Sequence, residues 1–301
     1  MSETKPKAGF AFFDRPYLLL ALTALFWGGN AVAGKAAVGA VPPMLLTAIR
    51  WFLTSLILFA FARPYLKRDW PVLKAHWLRL FLTGALGMAT FNLLLYNALH
   101  HTSAINVAIE QSGMPMIIVL VNFLLFSEAV SRGVAIGVIL SIAGVIVTAT
   151  HGNPTTLFDL NLNYGDALML AAVAIYALYS VTLRHRPKLH WMSFMTALAL
   201  AAVITALPFA IYEYMQGIVF TPNTKGFVLM VYVTLFPSLL SQIFYVRGVE
   251  LIGANRAGLF VNLVPLFGSV LAVIFIGEQP ALYHAVGYAL ILAGVYVAQR
   301  S

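Results

Sequence analysis

The chain has 301 residues, of which 61% are hydrophobic and only 9% are charged, whereas soluble domains average about 25% charged residues. A soluble fold could not cover its surface with so little charge, so a water-soluble enzyme or binding domain is excluded. The sequence has no cysteine, which also excludes disulfides, thiolate nucleophiles and cysteine metal sites.

The apolar residues fall in ten blocks of about 17 to 23 residues, the length that a helix needs to cross about 30 Å of hydrocarbon. In chain order, the predicted helices cover residues 17–37, 43–62, 78–99, 104–126, 133–150, 166–184, 192–212, 226–247, 257–276 and 283–298. They predict an all-α polytopic membrane protein with ten transmembrane helices. Most connections are short, so any site must be assembled from the helices themselves.

The basic residues lie in alternate loops. If the N-terminus is cytoplasmic, 15 of the 18 basic residues fall on the inside, only Lys35 and Lys225 fall on the outside, and Arg50 lies within a span. That asymmetry follows the positive-inside rule and predicts that both termini are cytoplasmic. The formal net charge of +8 therefore reflects membrane topology, and no nucleic-acid partner is expected.

The sequence repeats itself about 150 residues apart. Pro115 recurs as Pro265, and the run 143–145 (Ala-Gly-Val) recurs as 293–295. Because each copy holds five spans, an odd number, the second copy must enter the membrane from the opposite side. We therefore predict four parts: a cytoplasmic N-terminal tail (1–16), a first five-helix repeat (17–150), an outside connecting loop (151–165) and a second, inverted repeat (166–301).

Inverted repeats are typical of secondary transporters, because two related bundles can exchange conformations and open a central site to either side of the membrane. The repeat thus predicts alternating access. The alternative is that duplication only built a larger membrane scaffold.

Several motifs that recur at equivalent places of the two halves resemble those of a known family. The first helix contains LFWGGNAVAGK, and each half then has an in-span proline, a glutamate thirteen residues later (Glu128 or Glu278) and a Gly-x₆-Gly pattern. In these motifs the chain resembles the EamA group of the drug/metabolite transporter superfamily over nearly its whole length, and within it the YddG-type aromatic amino-acid exporters of bacterial inner membranes. The resemblance implies a ten-helix, inverted-repeat fold with a central cavity lined chiefly by helices 1, 3 and 4 and their partners 6, 8 and 9.

Polar and aromatic side chains within the spans are the candidates for lining that cavity, since polar groups without partners are costly in hydrocarbon. They recur in both halves at helical spacing, so one face of each helix carries them. The candidate substrate-binding residues are Trp27, Asn30, Asn92, Tyr96, Glu110, Tyr176, Tyr179, Gln242 and Tyr245. The alternative is helix packing for the aromatic residues and an interhelical clasp for the amides.

Glu110, from this set, and three further residues raise separate questions. Glu110, the only carboxylate well inside a span, could attract a substrate ammonium or bind a coupling proton, but a role in an outer vestibule or gate is favoured. Arg50 could face a substrate carboxylate, but we expect it to extend outward along its stem to the membrane surface. Pro115 and Pro265 can kink helices 4 and 9 and are candidate gating points.

The pattern favours a carrier over an enzyme, because no catalytic motif or interior reactive group is present. No cofactor or metal site is expected. A sugar-phosphate carrier should have several interior basic residues, and a small multidrug exporter should have a carboxylate in helix 1. Neither pattern occurs.

A nearly neutral cavity of aromatic and amide groups suits amino acids with apolar side chains. The sequence predicts a secondary transporter of the bacterial inner membrane that exports aromatic and other neutral amino acids by alternating access. Export of other small metabolites or drugs is the alternative. The expected partners are the amino-acid substrate and the lipid bilayer, and ten helices suffice for a monomeric carrier.

Overall fold

A computed structural model describes residues 12–127, 131–153, 163–183, 186–252, 257 and 260–300. Most of the predicted N-terminal tail and of the loop 151–165 lies outside these residues, as does Glu128. All regular structure within the described residues is helical.

Among the described residues, the first half contains seven helices, α1 (Pro16–Ala37), α2 (Pro43–Ala75), α3 (Trp77–Gly84), α4 (Phe91–Ala98), α5 (Ala104–Ser112), α6 (Met114–Phe126) and α7 (Arg132–Ala149). The second half contains α8 (Tyr164–Thr182), α9 (Trp191–Met215), α10 (Thr224–Val233), α11 (Ser241–Ile252), α12 (Val264–Ile276) and α13 (Leu282–Gln299). Two π-helical segments, Ala85–Thr90 and Thr234–Leu240, join α3 to α4 and α10 to α11, and a 3₁₀ turn, Phe260–Leu263, precedes α12.

Within the described residues, six of these helical stretches are long and apolar enough to cross a membrane. The pair α5–α6 would be a seventh span if it is counted as one bent helix, and three further apolar helices are shorter. The prediction of ten spans therefore stays a prediction. Helix α2 runs to Ala75, well beyond the predicted end at residue 62. Hydropathy locates only the apolar part of a helix, and α2 continues through a polar stretch after that part ends.

The helix ends gather at two opposite ends of the bundle. At the first, which we call the Lys35 end, the Lys35 ammonium donates to the carbonyl oxygens of Leu99 (2.9 Å) and Thr102 (2.6 Å). At the opposite end, the Arg68 end, the Asp69 carboxylate accepts hydrogen bonds from the Arg68 side chain and from the His190 N–H. These two ends define the long axis of the bundle.

Glycines bring α7 and α13 into direct backbone contact. A Cβ added to Gly137 would lie 2.5 Å from the carbonyl oxygen of Gly294, and one added to Gly144 would lie 2.5 Å from that of Gly287. Position 137 thus faces 294 while 144 faces 287, so the two helices run antiparallel. Side chains larger than hydrogen would keep them apart.

Several local features recur at the 150-residue offset. The two π-helical segments occupy matching positions of the two halves. Helix α6 ends on Ser127 with φ of 53°, and α12 ends on Gly277 with φ of 69°, so both stop in a left-handed conformation. The duplicated sequence therefore adopts matching local structure.

The outer surface of the bundle is apolar between its two ends. Exposed large side chains include Phe61, Leu124, Ile139 and Phe275, which in water would form an unfavourable surface but which suit lipid chains. Exposed aromatic residues mark both ends, with Trp70 and Trp77 at the Arg68 end and Tyr212 and Tyr214 at the Lys35 end. Such belts are typical of membrane interfaces.

Candidate functional site

Arg50 lies at the centre of a polar cluster inside the bundle. It is on α2, two turns from the helix start at Pro43, and is only 5% exposed. Its Nη1 donates to Asn30 Oδ1 (3.0 Å), Asn92 Oδ1 (2.6 Å) and the Tyr96 hydroxyl (2.6 Å). The prediction that Arg50 extends to the membrane surface is wrong, because these buried acceptors hold the guanidinium inside.

Both halves of the chain contribute to this Arg50 cluster. Arg50 Nε donates to Ser238 Oγ at 2.5 Å, and Ser238 lies in the π-helical segment between α10 and α11. The Ser238 hydroxyl in turn donates to the carbonyl oxygen of Val233 at 2.6 Å, since the wider π turn aligns residues five apart. The irregular segment therefore aims an acceptor at Arg50.

The acceptors around Arg50 are held by their own hydrogen bonds. The Tyr96 hydroxyl donates to Asn30 Oδ1 (2.8 Å), and Asn92 Nδ2 donates to the carbonyl oxygen of Met88 (2.7 Å). Trp51 lies under the guanidinium, 5.1 Å from its carbon to the ring centroid. A cation over an aromatic face gains about 0.5–2 kcal/mol, so the site is organised around a positive charge.

The positive charge of Arg50 has no counterion within the part of the chain that the structure describes. None of the ion pairs there includes Arg50, and its four hydrogen-bond acceptors are all neutral. Those bonds use Nε and Nη1, so the Nη2 amino group has no acceptor among the described residues. A buried guanidinium with free donors is suited to receive an anionic oxygen.

Aromatic side chains from both halves contact residues that are next to members of this cluster in the sequence. The Trp27 and Tyr245 rings are 5.4 Å apart, and Trp27 Nε1 donates to the carbonyl oxygen of Pro237 (3.2 Å) in the π-helical segment. The rings of Tyr176 and Tyr179, two candidate residues of the second half, lie 5.1 Å apart, and the Tyr176 ring also lies 5.0 Å from that of Phe91.

Gln242, which lies 150 residues after Asn92 and so at the equivalent place of the second repeat, is half-buried and makes no hydrogen bond within the described residues. The symmetry of the sequence is therefore not matched by symmetry of the polar contacts. Asn92 contacts Arg50 directly, whereas the second half supplies Ser238.

Glu110 lies apart from the Arg50 cluster. It is fully buried on α5, and neither carboxyl oxygen has a hydrogen-bond partner. Its electrostatic neighbour is Asp166, in the first turn of α8. The cavity residues predicted from the sequence thus divide between two places.

A bend separates α5 from α6. The two helices meet at an angle of 43° across Gly113, and Pro115 is the second residue of α6. Pro265 occupies the same place in α12, after the 3₁₀ turn. Proline lacks an N–H and is tolerated in the first turn of a helix, so both prolines lie where a new helical segment begins.

The Lys35 end holds a surface cavity of about 480 Å³. It is lined by the loop 39–42, the start of α2, Asn97, Glu213 and the linker after α9. His100 also lines it, and burial, together with the charges of His101 and Lys35, lowers the pKa of His100. This cavity gives water access to one end of the helix that carries Arg50.

Metal binding has no support in this geometry. Among the described residues, no group of three or more His, Cys, Asp or Glu side chains is arranged to hold a metal ion.

Comparison with known proteins identifies the family. The sequence model of the EamA-like transporter family matches residues 15–150 and, a second time, residues 163–299. The chain belongs to the EamA-like transporter family. The duplicated match covers nearly the whole chain.

Two relatives and one solved structure extend this finding. The EamA-like protein is 24% identical over 283 residues to the uncharacterized transporter YetK of Bacillus subtilis, covering 93% of this chain and 86% of YetK. It is 28% identical over 287 residues to an uncharacterized transporter of Archaeoglobus fulgidus, covering 94% and 97%. A crystal structure that is 21% identical has a TM-score of 0.63 over 95% of this chain and 96% of its own, a likeness of fold alone.

Together, the family match and the apolar helices identify this EamA-like protein as a multi-pass membrane transporter of the drug/metabolite transporter superfamily. The relatives are named as transporters, which fits the expectation of a non-enzyme. Their names give no substrate.

Sequence reasoning about this EamA-like transporter missed two sets of residues. Ser238 is not among the predicted site residues, and Arg50 was expected to extend to the membrane surface, although it is the only basic residue well inside a predicted span. His151 and His284, near the ends of predicted spans, are also absent from the predicted site residues. Their contacts with Asp166 and Asn106 link residues that lie far apart in the sequence, so no local pattern could have shown them.

Proposed function

We propose that this EamA-like transporter exports aromatic and other neutral amino acids across the bacterial inner membrane by alternating access. The observation that carries the proposal is the buried Arg50 guanidinium, held by neutral acceptors and without a carboxylate partner among the described residues. An ionisable residue inside a membrane protein is by default a candidate for a functional site.

The free Nη2 group of Arg50 suits a single carboxylate, because arginine N–H groups form strong, charge-assisted hydrogen bonds with carboxylate oxygens. A phosphorylated substrate carries more charge and would need further cations near the site. The rings of Trp27, Tyr245 and Tyr176 supply apolar surface for the side chain of the amino acid, which supports a preference for aromatic and other neutral substrates.

The division of the Arg50 cluster between the two halves supports alternating access. Arg50 belongs to the first half and Ser238 to the second, so a relative movement of the halves would change the environment of the guanidinium. The antiparallel contact of α7 with α13 supports two inverted repeats, the arrangement in which such movements occur.

The distribution of charge supports a topology with both termini in the cytoplasm. The helix ends at the Arg68 end carry Arg63, Arg68 and Arg247, whereas the opposite end carries Lys35 and Lys225. By the positive-inside rule, the Arg68 end faces the cytoplasm and the Lys35 end faces outward. Ten spans complete this proposed topology, and they suffice for a monomeric carrier.

The alternative is export of other small metabolites or drugs. The Arg50 cluster favours anionic or zwitterionic members of that group, because a cationic drug would be repelled by an unpaired guanidinium.

Counterflow in liposomes tests the proposed function. Purified protein is reconstituted with unlabelled phenylalanine inside, and entry of labelled phenylalanine is measured. We expect counterflow in the wild type, its loss in Arg50→Met, and its retention in Lys225→Met, which removes an exposed lysine. Absence of counterflow with phenylalanine, tryptophan and leucine in folded wild-type protein would overturn the proposal.

A further inference from the structure

A second buried polar cluster lies at the Lys35 end, formed by Thr102, Asn106, His151, Asp166 and His284, and we call it the Asp166 cluster. Asp166 Oδ1 accepts hydrogen bonds from the Thr102 hydroxyl and from Asn106 Nδ2 (3.3 Å). Its Oδ2 has no hydrogen-bond partner but lies 3.4 Å from His151 Nε2. One oxygen of the carboxylate is thus hydrogen-bonded, and the other faces a histidine without a hydrogen bond.

The contacts of His284 fix its tautomer. Its Nδ1 accepts a hydrogen bond from the N–H of Ala281 (2.7 Å), so Nδ1 carries no proton. The proton therefore lies on Nε2, which donates to Asn106 Oδ1 at 2.8 Å. This bond orients the Asn106 amide with its Nδ2 toward Asp166 and His151.

His151 has two possible hydrogen-bond states at the same position. Its Nε2 lies 2.9 Å from Asn106 Nδ2, from which it accepts when the imidazole is neutral. When the imidazole is protonated, Nε2 instead donates toward Asp166 Oδ2. The His151 side chain is 44% exposed, so it joins the buried carboxylate to the solution, and its backbone is in the left-handed region with φ of 51°.

Glu110 extends this cluster deeper into the bundle. It follows Asn106 by one turn on α5, is fully buried, and has no hydrogen-bond partner on either oxygen. Two carboxyl groups that interact in a buried place cannot both be ionised at low cost. Burying an unpaired ionised carboxylate costs several kcal/mol, so the neutral, protonated form is favoured at Glu110, which has no hydrogen-bond partner on either oxygen.

The other ionisable groups around α5 already have hydrogen-bond or ring-packing partners. Glu278 accepts hydrogen bonds from the N–H groups of Ala104 (2.7 Å) and Ile105 (2.9 Å) at the start of the helix. Lys35, from α1, donates to two carbonyl oxygens. Tyr283, from α13, packs its ring on those of His151 and His284.

The remaining helices packed on α5 add no ionisable group to this surrounding. Within their described residues, α6 and α12 contain no Asp, Glu, His, Lys, Arg or Tyr, and α7 contains only Arg132, its first residue, at the opposite end of the bundle. Glu110, Asp166, His151 and His284 are therefore the groups left to exchange a proton.

We propose that the Asp166 cluster and Glu110 form a proton-binding site, with Glu110 as the group that holds the proton and His151 as its connection to the solution at the Lys35 end. Binding forms one O–H bond on Glu110 while a solvent hydronium or the His151 imidazolium loses its proton, and no other bond changes. The proton site is separate from the Arg50 cluster. Only one consequence of this proposal rests on the proposed function, namely that inward proton movement drives substrate export.

Infrared spectroscopy tests the proton site without any substrate. The protein is placed in lipid, and the C=O stretching band of a protonated, non-hydrogen-bonded carboxyl group is followed during a pH titration. We expect the band in the wild type, its loss in Glu110→Gln, and its retention in Glu250→Gln. Glu250 is a matched control because it lies on the surface and pairs with Arg247. Persistence of the band in Glu110→Gln would overturn the assignment.

Transport then tests the coupling. In liposomes with an imposed pH gradient, the wild type should accumulate phenylalanine, whereas Glu110→Gln and Asp166→Asn should lose accumulation and keep counterflow. Retained counterflow shows that each variant is folded, and the second variant leaves Glu110 in place. Equal accumulation in wild type and both variants would overturn the coupling. If wild-type protein shows no counterflow, the proposed substrate fails, and the infrared band alone decides the proton site.

Discussion

Replacing Gly144 by valine should separate α7 from α13 and destabilise the protein by about 3 kcal/mol, the upper part of the usual range for overpacked cores. A Cβ at this position would lie 2.5 Å from the Gly287 carbonyl oxygen, 0.9 Å short of the 3.4 Å at which ordinary contact begins. It would also lie 2.8 Å from Ile291 Cγ1. Because the first clash is with backbone, no side-chain rotation relieves it.

The measurement is unfolding by sodium dodecyl sulfate in mixed micelles, followed by circular dichroism. Ala135→Val is the matched control, since it introduces the same residue on an exposed position of α7, where substitutions usually change stability by less than about 0.5 kcal/mol. Gly294→Val should match Gly144→Val, because its Cβ would lie 2.5 Å from the Gly137 carbonyl oxygen. Equal stability of Gly144→Val and Ala135→Val would refute the close antiparallel contact.

Two further substitutions test the cap of α2 and the Arg50 cluster. The Glu213 carboxylate accepts hydrogen bonds from the N–H groups of Met44 (3.3 Å) and Leu45 (2.9 Å) and so caps α2. Glu213→Gln weakens this charged cap and should lower the free energy of unfolding by about 1 kcal/mol in the same assay. An unchanged free energy of unfolding would mean that the cap is not formed. Tyr96→Phe removes one acceptor of Arg50 and the donor to Asn30. It should raise the apparent KM for phenylalanine counterflow by about fivefold, in line with one hydrogen bond of about 1 kcal/mol. An unchanged KM would argue against Tyr96 as a positioning residue.

Helical spacing predicted part of the site. Asn30, Asn92 and Tyr96 were selected because they lie on polar faces of apolar helices, and the structure brings all three around Arg50. Periodicity identifies a face, but it does not say which neighbouring helix that face meets. The partner that unites these residues therefore had to come from the fold.

Arg50 shows why the rest was not predictable. A basic residue two turns into a helix can extend to the surface or stay inside, and the balance depends on buried acceptors supplied by other helices. One of them, Ser238, lies in a π-helical segment, which no simple hydrophobic period predicts. The same limit applies to Glu110, whose burial and nearness to Asp166 depend on the packing of α5 against α8.

The central claim is that Arg50 binds the carboxylate of the substrate. Equilibrium binding of phenylalanine and of phenethylamine, which lacks the carboxylate, tests it most directly in wild-type protein and in Arg50→Met. We expect the wild type to bind phenylalanine more tightly than phenethylamine, and the variant to lose that preference. Retention of the full preference in Arg50→Met would contradict the claim.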